Sequence, residues 1–272
     1  MPILDRQGAS LYYEVTALAP PWVDTPETIV FHHGVGITSE TWLEWLPALA
    51  DRYRLVRFDM RGFGRSTIPG PGFPWSLDLL ADDVVAVARA TAGDAPFHLV
   101  GESLGGTLAL HLATRRPHAL LTATICSTSH RGASIQCVRE WRDFIGVHGM
   151  AGWSAMMMPR RMDPTRVPVV LYEWFEREQA KSDANAVLDL ADLLIGTDLT
   201  DELARITVPT LVLSPDSSPF VPLEVALEIH GRIPRSEVRI YPGVRHAIVA
   251  SHGRELSLAL RDFLERRSPT RR

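Results

Sequence analysis

Short unbroken apolar runs alternate along this chain with longer stretches in which apolar residues recur every three or four positions. The runs Thr28-Ile29-Val30-Phe31-His32, Arg54-Leu55-Val56-Arg57-Phe58, Pro96-Phe97-His98-Leu99-Val100, Leu120–Cys126 and Pro209-Thr210-Leu211-Val212-Leu213 have the pattern of strands buried on both faces of a parallel sheet. Leu11-Tyr12-Tyr13-Glu14-Val15 and positions 237–241 read as further strands. Helical spacing falls between them, at 42–50, 104–115, 223–229 and 255–266. Ser76 is placed to cap another helix, which carries Leu77, Leu80, Val84, Val87 and Ala88 on one face. Strand and helix in alternation predict an α/β domain.

From about 129 to 200 that rhythm stops. Strand-like runs vanish, and Trp141, Phe144, Trp153, Met156, Met157, Met158, Tyr172, Trp174 and Phe175 stand among helical segments. The expectation is a core domain of 1–128 and 201–272 interrupted by a helical lid at 129–200. Inserted between two parallel strands, such a lid sits at the strand ends, where aromatics and methionines either pack it down or line an apolar chamber.

Composition narrows the function classes. At 272 residues, with 46% apolar and 22% charged residues, the chain is sized for one large globular domain. A formal net charge of -4 with both signs interspersed predicts no grip on nucleic acid or anionic lipid. Arg266-Arg267 and Arg271-Arg272 read as a solvated tail. Cys126 and Cys137 lack the spacing of a zinc site and are too few for a disulfide framework, so reduced thiols in a cytoplasmic protein are expected. The opening residues reach charge and glycine too early for a signal peptide, and no apolar run has the length of a membrane span. A monomer or homodimer acting on a small molecule is the expected state.

The chemistry is concentrated at Gly101-Glu102-Ser103-Leu104-Gly105-Gly106, between an apolar run and a helical pattern. A serine on a sharp strand-to-helix turn has its hydroxyl pushed clear of the backbone, and flanking glycines are required where a Cβ would clash. Ser103 is the candidate nucleophile. The amide of Leu104 then opens a helix, where the dipole favours an oxyanion, and Val35 in His33-Gly34-Val35-Gly36 is the candidate second donor. A serine hydroxyl needs a base, and His246, after a strand and the turn Pro242-Gly243-Val244-Arg245, is the best placed of ten histidines. Asp216, on the loop after Val212-Leu213-Ser214-Pro215, is the candidate to orient its ring. Asp59 and Arg61, in Asp59-Met60-Arg61-Gly62-Phe63-Gly64-Arg65-Ser66, read as structural groups of a loop pinned by its own hydrogen bonds.

These stretches together resemble the α/β-hydrolase superfamily, over nearly the whole chain except the lid, and look most like small esterases and lactonases of the 3-oxoadipate enol-lactonase type. The resemblance implies an α/β-hydrolase fold, a mostly parallel eight-stranded sheet flanked by helices. It also implies acyl transfer to water through an acyl-enzyme on Ser103, with no metal or organic cofactor. The chain departs from the family at the acid: Ser218 in Pro215-Asp216-Ser217-Ser218-Pro219 stands where relatives carry it, and the alternative place reads Ser127-Thr128-Ser129. Asp216 reaching His246, a Ser-His dyad, and an acid from elsewhere are the open readings. Glu102, Trp141, Trp153, Phe220 and Arg245 are candidate pocket residues, Arg245 for a substrate carboxylate. Two other functions compete with ester or lactone hydrolysis: carbon-carbon bond hydrolysis by the same residues, and ligand binding on a scaffold with weakened catalysis.

Overall fold

The computed structural model describes residues 2–267 apart from 7 and 24. Its strands are Ile3–Arg6 (β1), Ala9–Thr16 (β2), Thr28–His32 (β3), Arg54–Phe58 (β4), Phe97–Glu102 (β5), Leu120–Cys126 (β6), Thr210–Pro215 (β7) and Ser236–Tyr241 (β8). They form one sheet in the order β1-β2-β4-β3-β5-β6-β7-β8. Only β2 runs against its neighbours; every pairing from β4 to β8 is parallel. This is the α/β-hydrolase fold. The short β1, four residues of mixed exposure, carries no apolar run and escapes the hydropathy pattern.

Consecutive apolar residues in the central strands feed opposite faces, as a period of two requires. Val30, Val56, Leu99 and Val212 join one core cluster with Leu80, Val84 and Leu108. Their neighbours Phe31, Leu55, Val100, Leu211 and Leu213 join the other with Trp42, Trp45, Leu256, Leu260 and Phe263. The helices that pack on the two faces are Leu46–Leu49 (α1), Leu77–Ala92 (α2), Leu104–Arg115 (α3) and, late in the chain, Gly253–Arg267. The stretch 39–45 before α1 is a 3-10 helix, and Ser76 caps α2 through Leu79 N–H at 3.1 Å.

Between β6 and β7 lie the helices Trp141–Arg161 (α4), Val169–Ala180 (α5) and Ala184–Ile195 (α6). An isolated antiparallel bridge, Arg131 to Asp198, ties the two ends of this segment together. After β7 come Leu223–Arg232 (α7), Ile248–Ser251 (α8) and Gly253–Arg267 (α9). Arg266 and Arg267 are exposed, as expected, and both pair with Glu237, at 2.8 and 2.5 Å. Arg271 and Arg272 lie outside the described residues. Cys126 and Cys137 are free thiols.

Candidate active site

The turn after β5 is fixed by lack of space. A Cβ on Gly101 would stand 2.1 Å from the backbone oxygen of Gly105, and one on Gly105 2.3 Å from that of His32. With the helix so close to the strand, Ser103 is held at φ 54°, ψ -114°, a conformation that costs a non-glycine residue about 1–3 kcal/mol. Its N–H donates to Cys126 O at 2.9 Å, and its carbonyl accepts from Gly106 and Thr107 at 3.0 Å each, so the strained residue is held on both sides. Leu104, the first residue of α3, has an N–H with no acceptor inside the helix.

The His33-Gly34-Val35 loop is pinned by the His33 ring. Nδ1 lies 2.8 Å from Gly34 O and Nε2 accepts the Met60 N–H at 2.8 Å, partners that set a neutral Nδ1-protonated ring. Burial pushes the pKa of His33 down as well. A Cβ on Gly34 would meet the Glu102 carboxylate at 2.1 Å and Ser103 Cβ at 3.0 Å, so glycine lets the loop lie against the nucleophile turn. The Asp59 loop behaves as expected. Asp59 Oδ1 accepts from Ser39 N–H and Oγ, Oδ2 accepts from Arg65 N–H, and Arg61 pairs with Asp83.

His246 is buried at the end of the loop after β8. Its carbonyl accepts the Ser127 hydroxyl at 2.6 Å, and Phe220 meets its ring edge-to-face at 4.9 Å. Burial above all, with the Arg161 charge adding to it, pushes its pKa down to about 3, so the imidazole is neutral at pH 7. The Ser218 hydroxyl lies 3.1 Å from Nδ1. The Glu102 carboxylate lies 3.8 Å from Nε2. Glu102 accepts an N–H from Gly34 and faces Arg161, but burial outweighs both and raises its carboxyl to about 7.

The structure does not bring Asp216 to the ring. Strand β7 continues through Pro215, pairing with Tyr241, so Asp216 begins the loop with its N–H on Tyr241 O at 3.3 Å. Its exposed carboxylate accepts from Gly243 N–H and the Ser217 hydroxyl, both at 2.7 Å, and the chain turns inward only at Ser218.

Ser103, His246 and Val35 line one chamber with Trp141, Phe220 and Arg161. Its free volume of about 40 Å³ holds about three water molecules. Trp153 lies behind this wall, edge-on to Trp141 at 5.0 Å and against Gly36. Arg245 turns away, donating to Met162 O at 3.2 Å and to Pro159 O, and so secures the end of α4 rather than facing the nucleophile. The charged residue that sequence reasoning missed is Arg161, buried at 4% exposure. Its signal was the spacing Trp153, Met157, Arg161, which sets a cation on the buried stripe of α4. Among the described residues, no group of three or more His, Cys, Asp or Glu side chains is arranged to hold a metal ion.

Comparison with known proteins bears on the fold. Residues 27–146 match the family model of the alpha/beta hydrolase fold. The chain is 27% identical to a putative carbamate hydrolase of Agrobacterium fabrum, over 81% of this chain and 86% of that protein. It is also 27% identical to a pimeloyl-[acyl-carrier protein] methyl ester esterase of Aeromonas hydrophila, over 87% of this chain and 94% of that one. Among solved structures, the enol-lactonase of Burkholderia xenovorans superposes with a TM-score of 0.85 at 22% identity, over 97% and 100% of the two chains. The match over 27–146 and the superposition agree on the α/β-hydrolase fold. Among the described residues no helix is long and apolar enough to cross a membrane.

Proposed function

We propose that the protein is a serine hydrolase that cleaves a small carboxylic ester or lactone through an acyl-enzyme on Ser103. The observation that carries this reading is one chamber lined by Ser103, held at φ 54° on its strand-to-helix turn, by a neutral His246, and by Val35. Nε2 of His246 takes the Ser103 proton as Oγ attacks the carbonyl carbon, and the ring then protonates the leaving oxygen. Water, deprotonated by the same nitrogen, releases the acid. The N–H groups of Val35 and Leu104 hold the oxyanion. For Nε2 to act as base the ring proton must sit on Nδ1, where the Ser218 oxygen accepts it. A hydroxyl orients the ring but gives the imidazolium no countercharge, so the pair works as a dyad with a positioning serine.

The relatives named as esterase and carbamate hydrolase support acyl chemistry on this scaffold. The segment 129–200 is the lid of this reading, since α4 and α6 supply walls of the chamber. The neutral group at Nδ1 favours a second reading, a ligand-binding protein with little turnover. One experiment separates them. A fluorophosphonate probe is expected to label Ser103, and Ser103→Ala to abolish ester turnover while the protein stays folded; saturable binding with no labelling and no turnover overturns the hydrolase.

A further inference from the structure

His246 sits on a loop that is held at three consecutive residues. Arg245 donates through Nη1 to Met162 O at 3.2 Å and to Pro159 O, and its Nη2 stands 3.9 Å from Asp163. Ala247 N–H donates to Arg161 O at 3.0 Å. These carbonyls lie at the end of α4, where the helix offers them no internal partner. His246, between the two, is held from the core side, since its carbonyl accepts the Ser127 hydroxyl at 2.6 Å. The same carbonyl accepts Ile248 N–H at 2.8 Å across Ala247, whose φ -78° and ψ 48° make an inverse γ-turn.

Ser127 follows β6, and its N–H donates to Leu213 O on the neighbouring β7 at 3.2 Å. It stands at φ 50°, in the left-handed region that favours glycine; among the described residues only Ser103 and Cys137 share that feature without being glycine. Such a conformation persists only where the surroundings over-determine it, and it gathers at functional sites. The side chain is buried, and its hydroxyl proton is committed to the backbone of the base. A glycine here would adopt the same φ without strain and would lack the hydroxyl.

The tip of the ring is steered only weakly. Ser218 Oγ, the partner of Nδ1 at 3.1 Å, is shared with the N–H groups of Phe220 and Val221 at 3.3 Å each, and a neutral hydroxyl holds an N–H less firmly than a carboxylate does. The place of the imidazole is then set from its backbone end. We propose that Ser127 is a positioning residue for His246: its hydroxyl fixes the carbonyl of the base against the end of β6, and so presents the imidazole to the chamber where no carboxylate meets Nδ1. The reaction it serves is taken from the hydrolase reading, on which that part of the assignment rests. The placing of the ring does not depend on it.

Two measurements test it. Ser127→Gly suits the backbone conformation and removes the hydroxyl, so a purely conformational role predicts a variant as active as the wild type. On p-nitrophenyl acetate, Ser127→Gly and Ser127→Ala are instead both expected to lose ~10- to 100-fold in kcat with KM within ~3-fold of wild type, the scale of a misplaced reacting group. In a Ser218→Asp background, where a carboxylate holds Nδ1, the loss from Ser127→Gly is expected to shrink at least ~3-fold. A Ser127→Gly protein with kcat within ~3-fold of wild type, a loss carried by KM alone, or the same loss in both backgrounds overturns the proposal.

The second measurement needs no turnover. In proton–nitrogen NMR of histidine-labelled protein, the His246 ring signals are those missing from His246→Gln. They are expected to show the Nδ1-protonated tautomer in the wild type and an averaged mixture of tautomers in Ser127→Gly. Ring signals left unchanged by the substitution overturn the positioning role. If the wild type neither hydrolyses esters nor reacts with the fluorophosphonate probe, the hydrolase reading falls and the ring signals alone decide the positioning. If esters are hydrolysed and neither kcat nor the ring responds to Ser127→Gly, the positioning falls and the hydrolase reading stands. Should Ser127→Gly fail to fold, Ser127→Ala decides by the same criteria.

Discussion

Ser218 Oγ stands 3.1 Å from Nδ1 of His246, so the ring is steered by a hydroxyl where a carboxylate would both steer it and balance its charge. The same oxygen lies 3.3 Å from the N–H groups of Phe220 and Val221. Two donors already aimed at the site make it receptive to an anion. Ser218→Asp is therefore expected to raise kcat on a simple ester at least ~10-fold, since a carboxylate fixes the Nδ1-protonated tautomer and stabilises the imidazolium. It is also expected to raise the pKa of His246 from about 3, moving the acid limb of the pH-rate profile upward. A folded Ser218→Asp protein with unchanged kcat and profile contradicts the dyad.

Asp216 carries the opposite expectation. Its carboxylate holds the Gly243 N–H and the Ser217 hydroxyl in an exposed turn. Asp216→Ala is expected to leave kcat/KM within ~3-fold of wild type and to cost about 1 kcal/mol in urea denaturation, the usual size of such a bond. A loss of ~1,000-fold or more in kcat, the scale of removing an orienting acid, would return Asp216 to the catalytic group.

Glu102 gives a pH dependence of stability with an unusual sign. Its carboxyl is raised from 4.5 to about 7 in the folded protein, so between those values the native state holds a proton that the unfolded chain has lost. Stability from this group is full below pH 4.5 and falls as pH rises to about 7, by ~3 kcal/mol in all. Glu102→Gln removes the titration while keeping an acceptor for Gly34 N–H. The stability of the variant relative to wild type is expected to climb from pH 4.5 to 7 and then level off, as read by urea midpoints at each pH. Because the substitution also strips Arg161 of its facing acid, the diagnostic is the slope and not the sign at one pH. A difference that is flat across this range rules the buried, raised carboxyl out.

Much of this was legible in the chain because steric demands leave few options. Gly101, Gly105 and Gly106 are spaced by contacts that admit no Cβ, and the buried strands β3 to β7 announce themselves by apolar runs that feed two cores. The acid was misread because Asp216 and Ser218 differ only in where β7 stops. That boundary is set by pairing of Pro215 with Tyr241, a long-range contact invisible in the local pattern. Arg245 and Arg161 were exchanged for a related reason. Proximity to His246 in sequence favoured Arg245, whereas burial on α4 selects Arg161, and the face a lid helix turns inward depends on the surface it covers.

The Asp59-to-Ser66 loop is held by a buried ion pair as well as by the bonds to Asp59. Arg61 and Asp83 are 1% and 2% exposed in their side chains and meet through two parallel bonds, Nε to Oδ2 at 2.9 Å and Nη2 to Oδ1 at 3.0 Å. Arg6 also approaches Asp83, at 3.4 Å. Desolvation of both partners offsets most of their attraction, yet removing one leaves the other's charge in an apolar interior. Asp83→Leu is expected to cost about 3–5 kcal/mol in urea denaturation. Arg61→Met combined with Asp83→Leu should recover a clear part of that loss, since the uncompensated charge is gone and α2 keeps an apolar face against the sheet. If the double variant is less stable than Asp83→Leu alone, the pair contributes net stabilisation to the loop rather than merely tolerating its own burial, and the structural role of Arg61 is larger than its contact with Asp83.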